Sequence, residues 1–361
     1  MLTNIAIEGF KSIKKQTIPL NNITIVIGAN GAGKSNLVSF FKMLNCMLSG
    51  GLQQFIGKEG GAQSLLYYGP KNTRVLTVSL SLEINSHKDV YEFSLAKAVQ
   101  DTLIFAEEAA IFDGHKKEFG SGQKESVLSA ERNIDNWTLK DFFSGCRFFQ
   151  FHDTSDTARI RNNSYIERNK YLYSDAGNLP AYLYMLKNVS DNYRKYYDRI
   201  VEKIRYVMPQ FGDFVLEPQE VNPANILLNW HEATGEYLFG PHQISDGVLR
   251  FMALATLLLQ PPERLPKIII IDEPELGLHP QAIDLLGGMI LTAGRHTQII
   301  AATQSPRLLD SFNCENVLVA ERDNADNCSV FKRLDVSELS QWLDEYSLSQ
   351  LWEKNVLGGQ P

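Results

Sequence analysis

Cysteine is scarce. Cys46, Cys146, Cys314 and Cys328 are the four in 361 residues, and no two form a C-x-x-C pair. That spacing excludes a thioredoxin-like motif or a zinc ribbon, and a disulfide framework does not suit a chain of this size. Buried, reduced thiols are expected. Long apolar runs are also missing. The best, residues 251–259, falls far short of the ~20 residues a membrane span needs. The first ten residues hold neither a basic nor an apolar stretch, so no secretory leader is expected. The expectation is a cytoplasmic protein with no membrane contact. Basic residues are not in excess: 35 Lys and Arg face 42 Asp and Glu, a net charge of −7. An all-over positive coat is excluded, but a local basic patch is not. No internal repeat or long heptad array appears, which argues against an extended coiled-coil arm.

What is present is an ordinary globular mixture, 44% hydrophobic and 21% charged, long enough for two lobes. Residues 5–7 and 23–27 predict short strands. A helical pattern starts at Lys34, with Leu37, Phe40, Phe41 and Leu44 at 3–4 spacing. Residues 50–70 are glycine-rich and read as loop. Residues 75–112 alternate and predict an antiparallel meander. Residues 113–136 are polar and read as a mobile loop. Residues 177–206 read as helical, with Tyr193, Tyr197, Ile200, Ile204 and Val207 on one face and Pro209 as the stop. Ile268–Ile271 is an unbroken β-branched run, which suits a strand buried on both faces of a parallel sheet. Strands at 299–303 and 317–320 follow a helix at 281–293.

Residues 28–35 read G-A-N-G-A-G-K-S and fit G-x-x-x-x-G-K-[ST]. Glycines at 28 and 33 let the backbone curl its N–H groups inward toward phosphate oxygens. The helix start adds its positive end, Lys34 a point charge, and Ser35 a hydroxyl for Mg²⁺. Gly28, Asn30, Gly31, Gly33, Lys34, Ser35 and Asn36 are the candidate nucleotide-binding residues. Residues 268–273 read I-I-I-I-D-E, placing two carboxylates at the end of a buried strand. Asp272 would hold Mg²⁺ and Glu273 would deprotonate water. The other reading is an acidic N-cap for the next helix, which Pro274 would suit.

Three further segments identify a group. Residues 244–250 read I-S-D-G-V-L-R, 273–280 read E-P-E-L-G-L-H-P and 302–306 read A-T-Q-S-P. With I-E-G-F-K-S-I at 7–13 and the tail from Leu351 to Gly359, the order resembles stand-alone ATPases of the RecF/SMC-like ABC group. The resemblance implies an α/β P-loop NTPase head with a mixed or parallel core sheet, an antiparallel β subdomain and a helical insertion. Lobe I would be residues 1–155, the insertion 156–225 and lobe II 226–361. It implies that Ser245, Asp246 and Gly247 form the signature motif, which meets ATP bound to the other subunit. Gln150 resembles the Q-loop glutamine, a Mg²⁺ ligand, although it also reads as a glutamine at a strand end. Residues 276–279 would meet their symmetry mates, with His279 structural. Two departures stand out. Asp246 replaces a common glycine. Gln304 replaces the common histidine at the γ-phosphate, and it cannot titrate. Gln304 also reads as a turn cap before Pro306. The implied cofactors are ATP and Mg²⁺; the one near match to a guanine-reading N-K-x-D, at 169–172, lacks the acid.

Residues 159–206 carry ten basic and five acidic residues and nine of the 14 tyrosines. This suits contact with phosphates and stacked bases, or a core stripe of tyrosines under a solvated charged face. Three roles stay open. One is an ATP-gated homodimer acting on DNA with a separately encoded nuclease or toxin, in the phage-defence or toxin–antitoxin settings that the resemblance implies. The second is an ATP-sensing scaffold that holds a toxic partner without DNA. The third, a transporter motor, fits the motifs least.

Overall fold

A computed structural model describes residues 1–84, 87–130, 137–323 and 325–360. An outer antiparallel sheet is built from β1 (Leu2–Phe10), β2 (Ile13–Pro19), β4 (Val75–Ile84), β5 (His87–Lys97), β6 (Leu103–Phe112) and β7 (His115–Gly120), in the order β2-β1-β4-β5-β6-β7. The meander expected at 75–112 is present. A second six-stranded sheet runs β17-β16-β3-β15-β14-β8, with β3 (Ile23–Ile27), β8 (Cys146–Phe149), β14 (Ile268–Asp272), β15 (Gln298–Ala302), β16 (Val317–Arg322) and β17 (Ser329–Arg333). All its pairings are parallel except β16 with β17, so the core sheet is mixed.

Strand period explains why this sheet is hidden. Successive side chains point to opposite faces. Ile269 and Ile271 enter one apolar core, Ile268 and Ile270 the other, and β15 splits its residues the same way. Helix α1 (Lys34–Leu48) fills the space between the two sheets through Leu37, Phe40, Phe41 and Leu44. The opposite face is covered by α6 (Leu179–Asn188), α7 (Asp191–Val207), α8 (Asp246–Leu259) and α9 (Pro280–Ala293). A small sheet of β10 (Phe211–Val215), β12 (Asn229–Glu232) and β13 (Leu238–Phe239) leads into α8, and β9 (Ser164–Tyr165) pairs with β11 (Asn225–Ile226).

Several local expectations differ from the structure. The first strand is longer than residues 5–7 and is followed by a hairpin partner, β2. Residues 50–70 contain α2 (Leu52–Lys58) and α3 (Ala62–Leu65). Helix α2 is capped from a distance: the Glu125 carboxylate accepts from Leu52 N at 2.8 Å and Gln53 N at 3.0 Å. Residues 113–136 hold β7 and α4 (Val127–Ala130), and 131–136 lie outside the described residues. The stretch 177–206 is two helices. Ser190 is extended and caps α7 by accepting from Tyr193 N at 3.3 Å. Tyr197, Ile200 and Ile204 are buried, so this face of α7 is a core stripe. Cys46 is half-buried; the other three cysteines are buried, and all four are free thiols. Short α5 (Trp137–Ser144), α10 (Pro306–Leu309), α11 (Val336–Leu343) and α12 (Leu348–Glu353) complete the helices named here. No helix among the described residues is long and apolar enough to cross a membrane.

Candidate nucleotide site

The loop between β3 and α1 packs tightly against neighbouring strands. Gly28 has φ +147°, and a Cβ there would lie 2.2 Å from the Ala320 carbonyl oxygen of β16. Lys34 is buried. Its ammonium donates to the Gly28 and Ala29 carbonyls, the latter at 3.0 Å. Burial lowers its pKa, opposed by the nearby Glu273, Asp272 and Glu275 carboxylates. Asn30, Gly31 and Ser35 are exposed along this loop. Asn36 is turned to Ser12, donating at 2.5 Å, and Ser12 in turn bonds Ser329 at 2.6 Å.

Asp272 ends β14, and Glu273 follows in the left-handed region, φ +43°. That conformation is uncommon and costly outside glycine. It is held by Glu273 N donating to Ala302 O at 2.8 Å. Gln304, just beyond β15, donates its side-chain amide to Glu273 Oε1 at 2.5 Å. Its backbone N–H donates to Glu275 Oε1 at 2.9 Å. The next helix begins only at Pro280 and is capped by His279, so Asp272 and Glu273 do not serve as its N-cap.

Gln150 lies just beyond β8, the neighbour of β14. Lys42, on α1, donates to Gln150 Oε1 at 3.2 Å. The other end of that amide meets His152 Nδ1 at 3.1 Å, and His152 Nε2 lies 3.0 Å from the Asp272 carbonyl. A carbonyl can only accept, so Nε2 carries the proton and Nδ1 accepts from Gln150. The phosphate-loop helix, the glutamine and the acidic strand end thus form one chain of contacts. Burial raises the pKa of Asp272, with Lys42 opposing. Burial also raises that of Glu275, opposed by the Thr303 hydroxyl and the Gln304 N–H.

Ser245, Asp246 and Gly247 lie elsewhere. Ser245 is the N-cap of α8 without a side-chain cap bond. Among the described residues, no hydrogen bond joins these three to the phosphate loop. Buried Arg161 instead binds their segment, donating to Asp246 Oδ1 at 2.7 Å, Ile244 O at 3.0 Å and Thr154 O at 2.7 Å. The Arg161 hydrogen bond lowers the pKa of Asp246. A Cβ on Gly247 would lie 2.3 Å from Gly277 O, so the signature segment rests on the 276–279 loop. Arg250 joins three segments: it starts on α8 and donates to Leu276 O at 3.0 Å and His152 O at 2.9 Å. Lys42, His152, Arg161, Arg250 and Glu275 escaped the sequence reading. Lys42 lies two helical turns beyond Lys34, a spacing that could have marked it; the others follow only from tertiary contacts.

Comparison with known proteins gives the family. Residues 23–310 match the model described as "AAA domain, putative AbiEii toxin, Type IV TA system". The chain belongs to this family. No curated protein matches it significantly. Among solved structures, an Smc head bound to the C-terminal winged-helix domain of ScpA has TM-score 0.62 and 16% identity, covering 94% of this chain and 99% of that one. An Smc head with an extended coiled coil, bound to the C-terminal domain of ScpA from Pyrococcus furiosus, gives 0.61 and 16%, with 95% and 98% covered. The SMC head domain from Thermotoga maritima gives 0.51 and 15%, with 93% and 100% covered. At such identities the likeness concerns the fold: an SMC/RecF-like, ABC-type P-loop ATPase fold, as expected.

The buried carboxyl of Glu275 gives a pH prediction. Its raised pKa means that the folded chain keeps this proton to higher pH than the unfolded chain does. Over that window the unfolded state binds fewer protons, so stability falls as pH rises. Glu275→Gln removes this contribution. Its melting temperature should fall less steeply than wild type as pH rises above about 4.5. Parallel melting curves across the pH series would show that Glu275 is not charged at such cost.

Proposed function

We propose that the chain binds and hydrolyses ATP, with Mg²⁺, as an ATP-gated head-to-tail homodimer. The observation that carries this reading is the convergence of Lys34, Asp272, Glu273 and Gln304 at the C-terminal ends of the sheet's parallel strands, where α/β folds bind ligands. The loop N–H groups and Lys34 bind the phosphates, the ammonium exchanging its carbonyl partners for phosphate oxygens. The donor set fits a hard divalent cation: Ser35 and the Asp272 carboxylate accept no hydrogen bond from described residues, and Gln150, whose Oε1 accepts from Lys42, is linked to the Asp272 carbonyl through its Nε2 and His152. These three would hold Mg²⁺, which when bound supplies positive charge to the β- and γ-phosphate oxygens. Glu273 takes the proton of the attacking water, and Gln304 fixes one of its oxygens so that the other faces the water. Ser245 and Gly247 meet the γ-phosphate of the partner's ATP, at the N-terminus of α8. In this reading, residues 1–155 act as lobe I and 226–361 as lobe II, with the segment between them as insertion.

The dimer would act on DNA together with a separately encoded nuclease or toxin, in phage defence or DNA repair; the family description, which names a putative toxin and a toxin–antitoxin system, supports a toxin-linked setting. The bulk negative charge favours a second reading, an ATP-sensing scaffold that holds a toxic partner without DNA. A DNA-mobility assay with and without ATP separates the two.

Glu273→Gln should bind ATP, lose roughly 10²-fold or more in turnover and accumulate as a dimer. Size-exclusion chromatography and phosphate release read both. Turnover at the wild-type rate would place the general base elsewhere.

A shared site also predicts complementation. Lys34→Ala lacks the phosphate charge and Ser245→Arg blocks the signature face. Each alone should be inactive, and mixed chains should regain about one working site per heterodimer. Full activity in a demonstrated monomer would contradict the shared site.

A further inference from the structure

Strand β8 is the outermost strand of the core sheet, and its free edge is lined by cations. A cavity of about 580 Å³ lies between Gly145, Arg147 and Phe149 on one side and Lys170, Tyr171, Tyr193, Arg264 and Lys267 on the other. A second cavity, about 270 Å³, shares Arg147, Phe149 and Tyr171 and continues to Arg159 and Tyr173. Together they make one groove. Three arginines in it lie over tyrosine rings: Arg147 on Tyr171 at 3.8 Å from the ring centre, Arg264 on Tyr193 at 5.0 Å and Arg159 on Tyr173 at 5.5 Å.

The charge is local and largely uncompensated. In the larger cavity Arg147, Lys170, Arg264 and Lys267 face only the Asp141 and Glu263 carboxylates. None of these four cations forms an ion pair with a described residue. Only Arg159, in the smaller cavity, is paired, to Asp175 at 2.8 Å. In a chain of net charge −7 this is a marked reversal of sign. Tyr171 is 39% exposed although a guanidinium covers part of its ring. The tyrosines buried on α6 and α7 belong to the core, but Tyr171 and Tyr173 do not.

We propose that this groove binds single-stranded nucleic acid. The proposal rests on the nucleic-acid reading given above. The cations take successive phosphates, while Tyr171 and Tyr173, held by their arginines, present faces to unpaired bases. A duplex offers phosphates but hides its base faces. The groove opens at the other end of the strands from the nucleotide site: Gly145 and Lys267 precede β8 and β14, whereas Gln150 follows β8 and Asp272 ends β14. It is nonetheless connected to that site. Ser174, beside Tyr173, accepts from the backbone N–H of Gln150 at 3.0 Å. A strand lying in the groove therefore presses on the segment that holds the Q-loop.

The test uses the full chain with ATP, a labelled oligothymidine of about 20 nucleotides and fluorescence anisotropy. Wild type should bind, and Arg147→Glu/Lys170→Glu/Lys267→Glu should bind at least tenfold more weakly with a shallower salt dependence. Tyr171→Ala, which keeps those charges, should lose roughly tenfold. ATP binding and basal ATPase should persist in both variants, which shows that they fold. If the triple variant binds as wild type does, the groove is overturned while the nucleic-acid reading stands. If wild type binds no nucleic acid, both fall. A wild-type preference for duplex of equal length overturns the single-strand assignment.

Discussion

The whole site depends on one strand that has no solvent-exposed face. Four isoleucines of β14 alternate between two cores, so the strand cannot slip by one residue without exchanging both cores' contents. It is paired in parallel on both edges, with β8 and with β15. These constraints fix where β14 stops, and the first residue free of them is a carboxylate. The parallel arrangement then brings the ends of β8 and β15 to the same edge. Gln150, Asp272, Glu273 and Gln304 become neighbours although more than 150 residues separate the first from the last.

Around that edge, polar contacts connect segments that the sheet alone would leave independent. Lys42, Gln150 and His152 tie the phosphate-loop helix to the acidic strand end. Arg250 ties the signature helix to both the 276–279 loop and the Q-loop segment. Its shorter bonds there go to backbone carbonyls, with a longer one to the Thr154 hydroxyl at 3.4 Å, so Arg250 follows chiefly where those segments lie. A shift of α8 strains the bonds to Leu276 and His152 together. In the proposed dimer, occupancy of the signature face would thereby reach the segment that holds Gln150.

Legibility in the sequence followed locality. The phosphate loop needs eight consecutive residues, and β14 declares itself by composition, so both could be read directly. The D-G turn at Asp113-Gly114, with both residues at positive φ, is a readable hairpin signal for β7, although the polarity of residues 113–136 reads as loop. Helix α2 was beyond reach of local rules, because its cap is Glu125, some 70 residues away in sequence. In the sequence Arg161 is one member of a basic stretch. Its burial, and its three carbonyl partners and one carboxylate, exist only once 154 and 241–246 come together around it. Composition marks residues 159–206 as unusual but cannot divide them: Tyr197 of α7 is core, whereas Tyr193 on the same helix lines the groove with the 171–173 tyrosines.

Arg161 also accounts for the aspartate at position 246. An acid in the first turn of a helix is favourable to that helix, yet it would repel a phosphate approaching the same N-terminus. Here Nη2 of the guanidinium takes the Asp246 carboxylate at 2.7 Å, while Nη1 holds the loop leading into α8 through the Pro241 and Ile244 carbonyls and Nε holds Thr154 O. The acid is therefore spent on a cation of its own chain. Ser245 keeps its hydroxyl free of a capping bond, and Gly247 lies flush on Gly277 with no room for a side chain. What the segment presents outward is an open helix start with a free hydroxyl, the chemistry a phosphate needs. Among the described residues, no hydrogen bond turns that face toward the chain's own phosphate loop. In the proposed dimer a second copy of the chain would bring its bound phosphate to this helix start, which is the physical case for the shared site.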